Sequence, residues 1–277
     1  MRYTLKEILD LAEKGGFAVP AFNVYNAETA IGVMKAAEKT GMPVIFQLYS
    51  RLFDSGLAHY IAPLVKEAIY DLKTPAAFHL DHGAGEPEVI RAIQYGATGV
   101  MIDGSTCPYE ENIRVTKSAV EIARAAGIGI EGELGHIGSA ANGDEQGAYT
   151  EVDEAVRFAE ETGVDALAIM VGTAHGHYKQ APVLAIERIA EIHNAAEVHL
   201  VLHGGSGVPD DQIKAAVKAG IRKINYGTDV CYSFIESCKK TDPYSLPLDK
   251  YLQAPTEAVC DFAVNRIELL GAGRYSK

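Results

Sequence analysis

Eight short, nearly continuous apolar runs punctuate this chain: Phe17 to Val24, Pro43 to Tyr49, Ala76 to His82, Gly99 to Asp103, Gly129 to Leu134, Ala166 to Val171, Glu197 to His203 and Ile221 to Tyr226. Between them apolar positions recur every three to four residues, the spacing of one helical face, as in 27–39, 87–95, 111–126, 152–162, 182–192 and 210–219. Continuous apolar strands separated by amphipathic helices predict a parallel sheet covered on both faces. Eight such units favour an α/β fold of the closed (β/α)8 TIM barrel type over a doubly wound sheet, which usually has fewer strands. No low-complexity linker or shift in composition interrupts them, so residues 1–277 are expected to form a single domain, with 254–270 as a C-terminal helical extension.

Composition narrows the setting. A chain of 277 residues with 48% hydrophobic content can bury a large core. Its net charge of −12 argues against a nucleic-acid or anionic-membrane partner, either of which needs a basic face. The four cysteines, Cys107, Cys231, Cys238 and Cys260, make no short-spaced framework, and the N-terminus carries no long apolar stretch. The expectation is a reduced, cytoplasmic protein without a signal peptide.

Three histidines change the picture. His82 stands in His79-Leu-Asp-His-Gly83, His175 in Gly172-Thr-Ala-His-Gly176 and His203 in Leu202-His-Gly-Gly-Ser-Gly207, each at or just beyond the end of an apolar run. One strand-end histidine reads as a hydrogen-bonded structural residue. Three at equivalent positions read as a metal shell, because catalytic zinc typically takes three protein ligands and keeps an open position. Strand alternation turns His82 away from the side on which His79 and Asp81 lie, so irregular geometry near Gly83 is required to bring Asp81 and His82 to the mouth together. Glu133, two residues after Glu131, is a further candidate ligand or an acceptor that orients a histidine. Asp81, beside a proposed ligand, is the candidate general acid–base group; the alternative is that it fixes a loop. Gly204, Gly205 and Ser206 lie between the seventh strand and a helix starting near Pro209, where backbone N–H groups and a helix N-terminus favour a phosphate. Lys179 is a candidate cation for the same group.

These residues resemble the class II, metal-dependent fructose- and tagatose-bisphosphate aldolases over nearly the whole chain. The shared motifs include Val19-Pro-Ala-Phe-Asn23, His79-Leu-Asp-His-Gly83, Glu131-Gly-Glu-Leu-Gly135, Gly172-Thr-Ala-His-Gly176, Leu202-His-Gly-Gly-Ser-Gly207 and Ile224-Asn-Tyr-Gly-Thr-Asp229. The resemblance implies a Zn2+ ion on His82, His175 and His203, Glu133 as an associated carboxylate, and a monovalent cation as a second ion that it leaves open. It implies Asp81 as the group that handles the C4 hydroxyl proton. Asn23, Gly176, Lys179, the glycine-rich loop, Asn225, Gly227 and Thr228 would hold the dihydroxyacetone phosphate half. The implied reaction is reversible cleavage of a phosphorylated sugar, a ketose 1-phosphate or 1,6-bisphosphate, through a zinc-bound enediolate, in a homodimer or homotetramer.

Three positions depart from the family. The loop 138–145 has Ala141 near the place of a proton-transferring glutamate, with Asp144 or Glu145 as substitutes. Tyr49 stands where many members have serine, and Val230-Cys231 follows Thr228-Asp229 where many have Leu-Arg. That arginine helps bind the distal phosphate in some members, leaving Arg51, Arg266 and Arg274 as replacements or as ordinary surface charges. Gly227, aspartate in several fructose enzymes, also bears on substrate. The substrates held open are fructose 1,6-bisphosphate, tagatose 1,6-bisphosphate and a ketose 1-phosphate without a distal phosphate. The alternative readings are a non-catalytic sugar-phosphate-binding family member and a barrel metallohydrolase, whose usual first-strand His-x-His is missing here.

Overall fold

All eight apolar runs form strands, each paired in parallel with its neighbours in sequence until the last closes on the first. The computed structural model describes residues 1–138, 149–176, 178, 180–242, 244 and 247–271. The strands are β1 (Val19–Asn23), β2 (Val44–Tyr49), β3 (Ala76–Gly83), β4 (Gly99–Ile102), β5 (Gly129–Leu134), β6 (Ala166–Ile169), β7 (His199–Leu202) and β8 (Ile221–Tyr226). Their near-complete burial follows from having helices on one side and the filled barrel interior on the other. The helices are α1 (Leu5–Gly15), α2 (Ala27–Thr40), α3 (Ser50–Asp54), α4 (Ala58–Asp71), α5 (Glu86–Gln94), α6 (Tyr109–Ala125), α7 (Val152–Thr162), α8 (Ile186–Ala195), α9 (Asp210–Ala219), α10 (Thr228–Lys240), α11 (Leu248–Tyr251) and α12 (Gln253–Leu269). None of those described is long and apolar enough to cross a membrane.

Helix α1 begins with a reciprocal cap between Thr4 and Glu7. It closes the N-terminal end of the barrel: a Cβ added at Gly99 or Gly129 would stand 2.6 or 2.9 Å from Leu5 Cβ. The expected C-terminal extension is α12. It packs closely on α2, where a Cβ at Gly32 would meet the Thr256 carbonyl at 2.8 Å and where Lys35 pairs with Glu257 at 2.8 Å.

Several boundaries differ from the sequence expectation by a few residues, and at two of them backbone donors are committed elsewhere. The Phe17 and Ala18 amides bond to Ala12 and Leu270, so pairing of β1 starts at Val19. The Leu184 amide is taken by the Gln212 side chain and that of Ala185 by the Val171 carbonyl, so α8 starts at Ile186 rather than at Pro182.

Candidate active site

The required irregularity in β3 is present, and its centre is His82 rather than Gly83. Pairing with β4 shifts register between Leu80 and Gly83, and His82 has φ +54°, alone among the described non-glycine residues in the left-handed region. A histidine held there is strained by roughly 1–3 kcal/mol. Asp81 points inward with the alternation of the strand, and the reversal at the next residue brings His82 to the same mouth. Their side chains are 4.0 Å apart. His175 follows β6 and His203 follows β7, so the rims of three strands supply the three rings.

Hydrogen bonds fix which nitrogen of each ring is available. His82 Nδ1 is 2.8 Å from Asp103, and His175 Nδ1 is 3.1 Å from the Ile137 carbonyl, which can only accept. Both Nδ1 atoms are therefore donors, so each Nε2 is the nitrogen left for a metal. Those two Nε2 atoms face each other at 3.2 Å. His203 is reversed: Nε2 lies 2.8 Å from Glu131, while buried Nδ1 has no hydrogen-bond partner and looks toward Glu133 Oε2 at 3.4 Å, itself unpartnered. Three ring nitrogens, one from each histidine, converge within 4.8 Å of one another. Zinc–nitrogen bonds of ~2.0–2.1 Å at tetrahedral angles put ligand nitrogens ~3.3 Å apart, so the donor set fits a zinc ion with Glu133 at its edge. Without metal, burial works against a charge on His203, but Glu131 and Glu133 outweigh it and push its pKa up to about 10. His175 is pushed down to about 3 by burial and by its two neighbouring imidazoles.

Beneath the histidines lies a charged barrel interior. Lys223 Nζ and Glu131, both fully buried, are 2.8 Å apart, and His79 contacts the same carboxylate at 3.4 Å. Burial alone would raise the Glu131 pKa; Lys223, His203 and His79 together hold it well below the usual carboxylate value. Lys223 also donates to Asn225 Oδ1 at 2.7 Å, which fixes that amide so that Nδ2 donates to Asp81 at 3.1 Å. Asn23 donates to the other Asp81 oxygen at 2.7 Å and accepts from Gln47 at 3.3 Å. Asp81 is thus a carboxylate gripped by two oriented amides. Against the effect of burial, the nearby His82, His203 and Lys223 lower its pKa, leaving it ionised and able to accept a proton at neutral pH.

The glycine-rich loop departs in detail from the expected cradle. Gly205 donates its N–H to the Asn225 carbonyl and Gly207 donates to Asp229, so these two groups are already engaged. Gly204, at φ +64°, leaves no room for a Cβ, which would stand 2.3 Å from the Ala174 carbonyl; one at Gly205 would lie 2.5 Å from Ile224. At both glycines the space a Cβ would need is taken by neighbouring protein. Gly176, Gly204, Ser206, Asn225, Gly227 and Thr228 line one cavity of about 570 Å³ with Asn23, Asp81, His82 and His175. His203 and Glu133 are buried and do not line it. Lys179, Ala141, Asp144, Glu145 and Arg274 lie outside the described residues. Arg266 bonds to Asp210 at 2.9 Å and has no place in the cavity, whereas Arg51 lines it, as does Cys231.

Sequence reasoning did not single out Asp103, Lys223 or the role of Glu131. A signal existed: each is a charge set within or at the end of an otherwise apolar strand run, and Lys223 and Glu131 are two residues from Asn225 and Glu133, hence on the same strand faces.

Among known proteins, the family model described as Fructose-bisphosphate aldolase class-II matches residues 3–274. Over 274 residues the chain is 39% identical to a protein named sulfofructosephosphate aldolase from Alkalicoccus urumqiensis, covering 96% of each. The solved structure of the YdjI aldolase from Escherichia coli K12 superposes with a TM-score of 0.90 at 32% identity, covering 99% of this chain and 98% of that one.

Proposed function

Because this chain belongs to the class II fructose-bisphosphate aldolase family, we propose that it cleaves a ketose 1-phosphate reversibly to dihydroxyacetone phosphate and an aldehyde, using zinc. The observation that carries the reading is the convergence of three imidazole nitrogens, two of them 3.2 Å apart, beside an ionised carboxylate. His82 and His175 would hold the metal through Nε2 and His203 through Nδ1, with Glu133 adjacent. Bound there, zinc supplies Lewis acidity at the C2 carbonyl and stabilises the charge that develops as the C3–C4 bond breaks.

The other steps belong to side chains. Asp81 accepts the proton of the C4 hydroxyl; Asn23 and Asn225 saturate its flanks, so that its remaining lone pairs face the cavity. Asp103 and the Ile137 carbonyl keep the imidazoles in the required tautomers. Gly176, Gly204, Ser206, Gly227 and Thr228 offer the surface on which the 1-phosphate would rest, with Lys179 as a candidate cation. Cys231 in place of a basic residue supports substrates without a distal phosphate beside the fructose and tagatose 1,6-bisphosphates. So does the name of the Alkalicoccus urumqiensis relative, whose named substrate carries a sulfo group. Residues 1–277 are read as one catalytic barrel, cytoplasmic and working as a homodimer or homotetramer.

The test is a coupled assay for dihydroxyacetone phosphate across ketose 1-phosphates and 1,6-bisphosphates, with and without chelator. Cleavage that survives complete removal of metal would overturn the zinc reading. Metal binding without turnover on any of them would favour a non-catalytic sugar-phosphate binder.

A further inference from the structure

Arg51 takes no part in the chemistry above, yet it lines the same cavity. It stands in α3, two residues past the end of β2, and its Cζ lies 4.9 Å from the ring centroid of Tyr49 and 5.4 Å from that of Tyr25. Contact with two aromatic rings restrains a guanidinium that would otherwise sweep through solvent, and keeps its N–H donors at the cavity wall. Tyr49 ties it to the reacting centre: the same ring is 5.5 Å from His82.

The position around the rim is informative. The loops expected to hold the 1-phosphate follow β7 and β8, Asp81 and His82 end β3, and Arg51 follows β2. Tyr49 is in register with Asp81, so Arg51 stands on the rim next to the group that would meet C4, where the atoms beyond C4 would lie. There the charge is single. Among the described residues lining the cavity, Arg51 is the one permanent cation. Cys231, close by and beside Tyr25, is kept neutral as burial pushes its thiol up. Two carboxyl groups, Asp81 and Asp103, line the same cavity. One guanidinium balances one negative charge; a dianion would leave a second facing those carboxylates.

We propose that Arg51, braced by Tyr25 and Tyr49, selects ketose 1-phosphates whose far end carries one negative charge, a sulfonate or a carboxylate, over those ending in a hydroxymethyl group or a phosphate dianion. The inference rests on the cleavage reading above and assigns its aldehyde half.

Four substrates sharing the 1-phosphate separate the possibilities: fructose 1-phosphate, its 6-sulfo and 6-carboxylate counterparts, and fructose 1,6-bisphosphate. In the zinc-loaded wild type, kcat/KM is expected to be highest for a monoanionic substrate. Arg51→Gln should lower it for the monoanions by about 10- to 100-fold, the range for a hydrogen bond to a charged group, mainly through KM. Fructose 1-phosphate should change by no more than about threefold, and Arg51→Lys should restore part of the loss. Equal losses on all four substrates, no loss on any, or a wild-type preference for the bisphosphate would overturn the assignment. Calorimetric titration of the same compounds into both proteins reads the contact without turnover. If nothing is cleaved but monoanion binding still depends on Arg51, the cleavage reading fails and the Arg51 assignment stands. If cleavage proceeds and binding ignores Arg51, the reverse holds.

Discussion

At the scale of the residue, Asp81 and His203 separate chemistry from metal holding. Asp81 faces the cavity, and its proton-accepting role leaves the imidazole shell untouched. Asp81→Ala should therefore keep its zinc, measured by elemental analysis, while kcat falls by at least ~10²-fold, as for loss of a general acid–base group. His203→Ala should lose the zinc itself. His203 is also the proton's competitor for metal. With its pKa pushed up to about 10, the ring is protonated throughout the neutral range in the metal-free protein, so zinc must displace a proton to bind. Apparent zinc affinity should then rise with pH between 6 and 9, and calorimetry in buffers of differing ionisation enthalpy should register proton release. An affinity flat across that range would contradict the assignment of Nδ1 as a ligand.

At the scale of the element, the end of β3 is the device that makes a site out of a strand. Regular alternation separates Asp81 from His82; the left-handed residue unites them at the cost of strain. Gly83 permits this, since a Cβ there would lie 2.4 Å from the Met101 carbonyl on β4. Gly83→Ala is expected to destabilise the fold by ~1–3 kcal/mol through overpacking and to weaken zinc binding at the same time, read by denaturant unfolding and metal titration on one sample. Asp103, at the end of β4, is the matching support. Asp103→Asn should reduce zinc affinity by ~10- to 100-fold with unfolding nearly unchanged, because it alters the partner of His82 Nδ1 and not the core. Of these features, the need for irregular geometry was legible in the spacing Asp81-His82-Gly83. Its placement on His82 was not, because nothing local in the sequence distinguishes a strained histidine from a regular one.

At the scale of the whole molecule, the barrel interior is a polar column in which the bottom holds up the top. Lys223 neutralises Glu131, Glu131 orients His203, and Lys223 also sets the Asn225 amide that grips Asp81. Lys223→Met takes from buried Glu131 its lysine partner, so a loss of ~3–5 kcal/mol is expected in urea unfolding, with Glu131→Gln in the same chain recovering much of it. By itself the sequence determined the barrel, because apolar runs alternating with amphipathic helices admit few other packings, and it determined which side chains end the strands: the three histidines, Asp81 and the carboxylates of β5. Hydrophobic periodicity and residue chemistry are local properties, and they are written in the order of the chain. Only the tertiary structure decided which nitrogen each histidine presents, that Asn23 and Asn225 hold Asp81, that Gly204 and Gly205 make room for neighbouring backbone, and that Arg51 is braced by two tyrosines at the cavity. Those facts depend on distances of a few ångströms between residues far apart in sequence, and such distances exist only once the strands have closed into a ring.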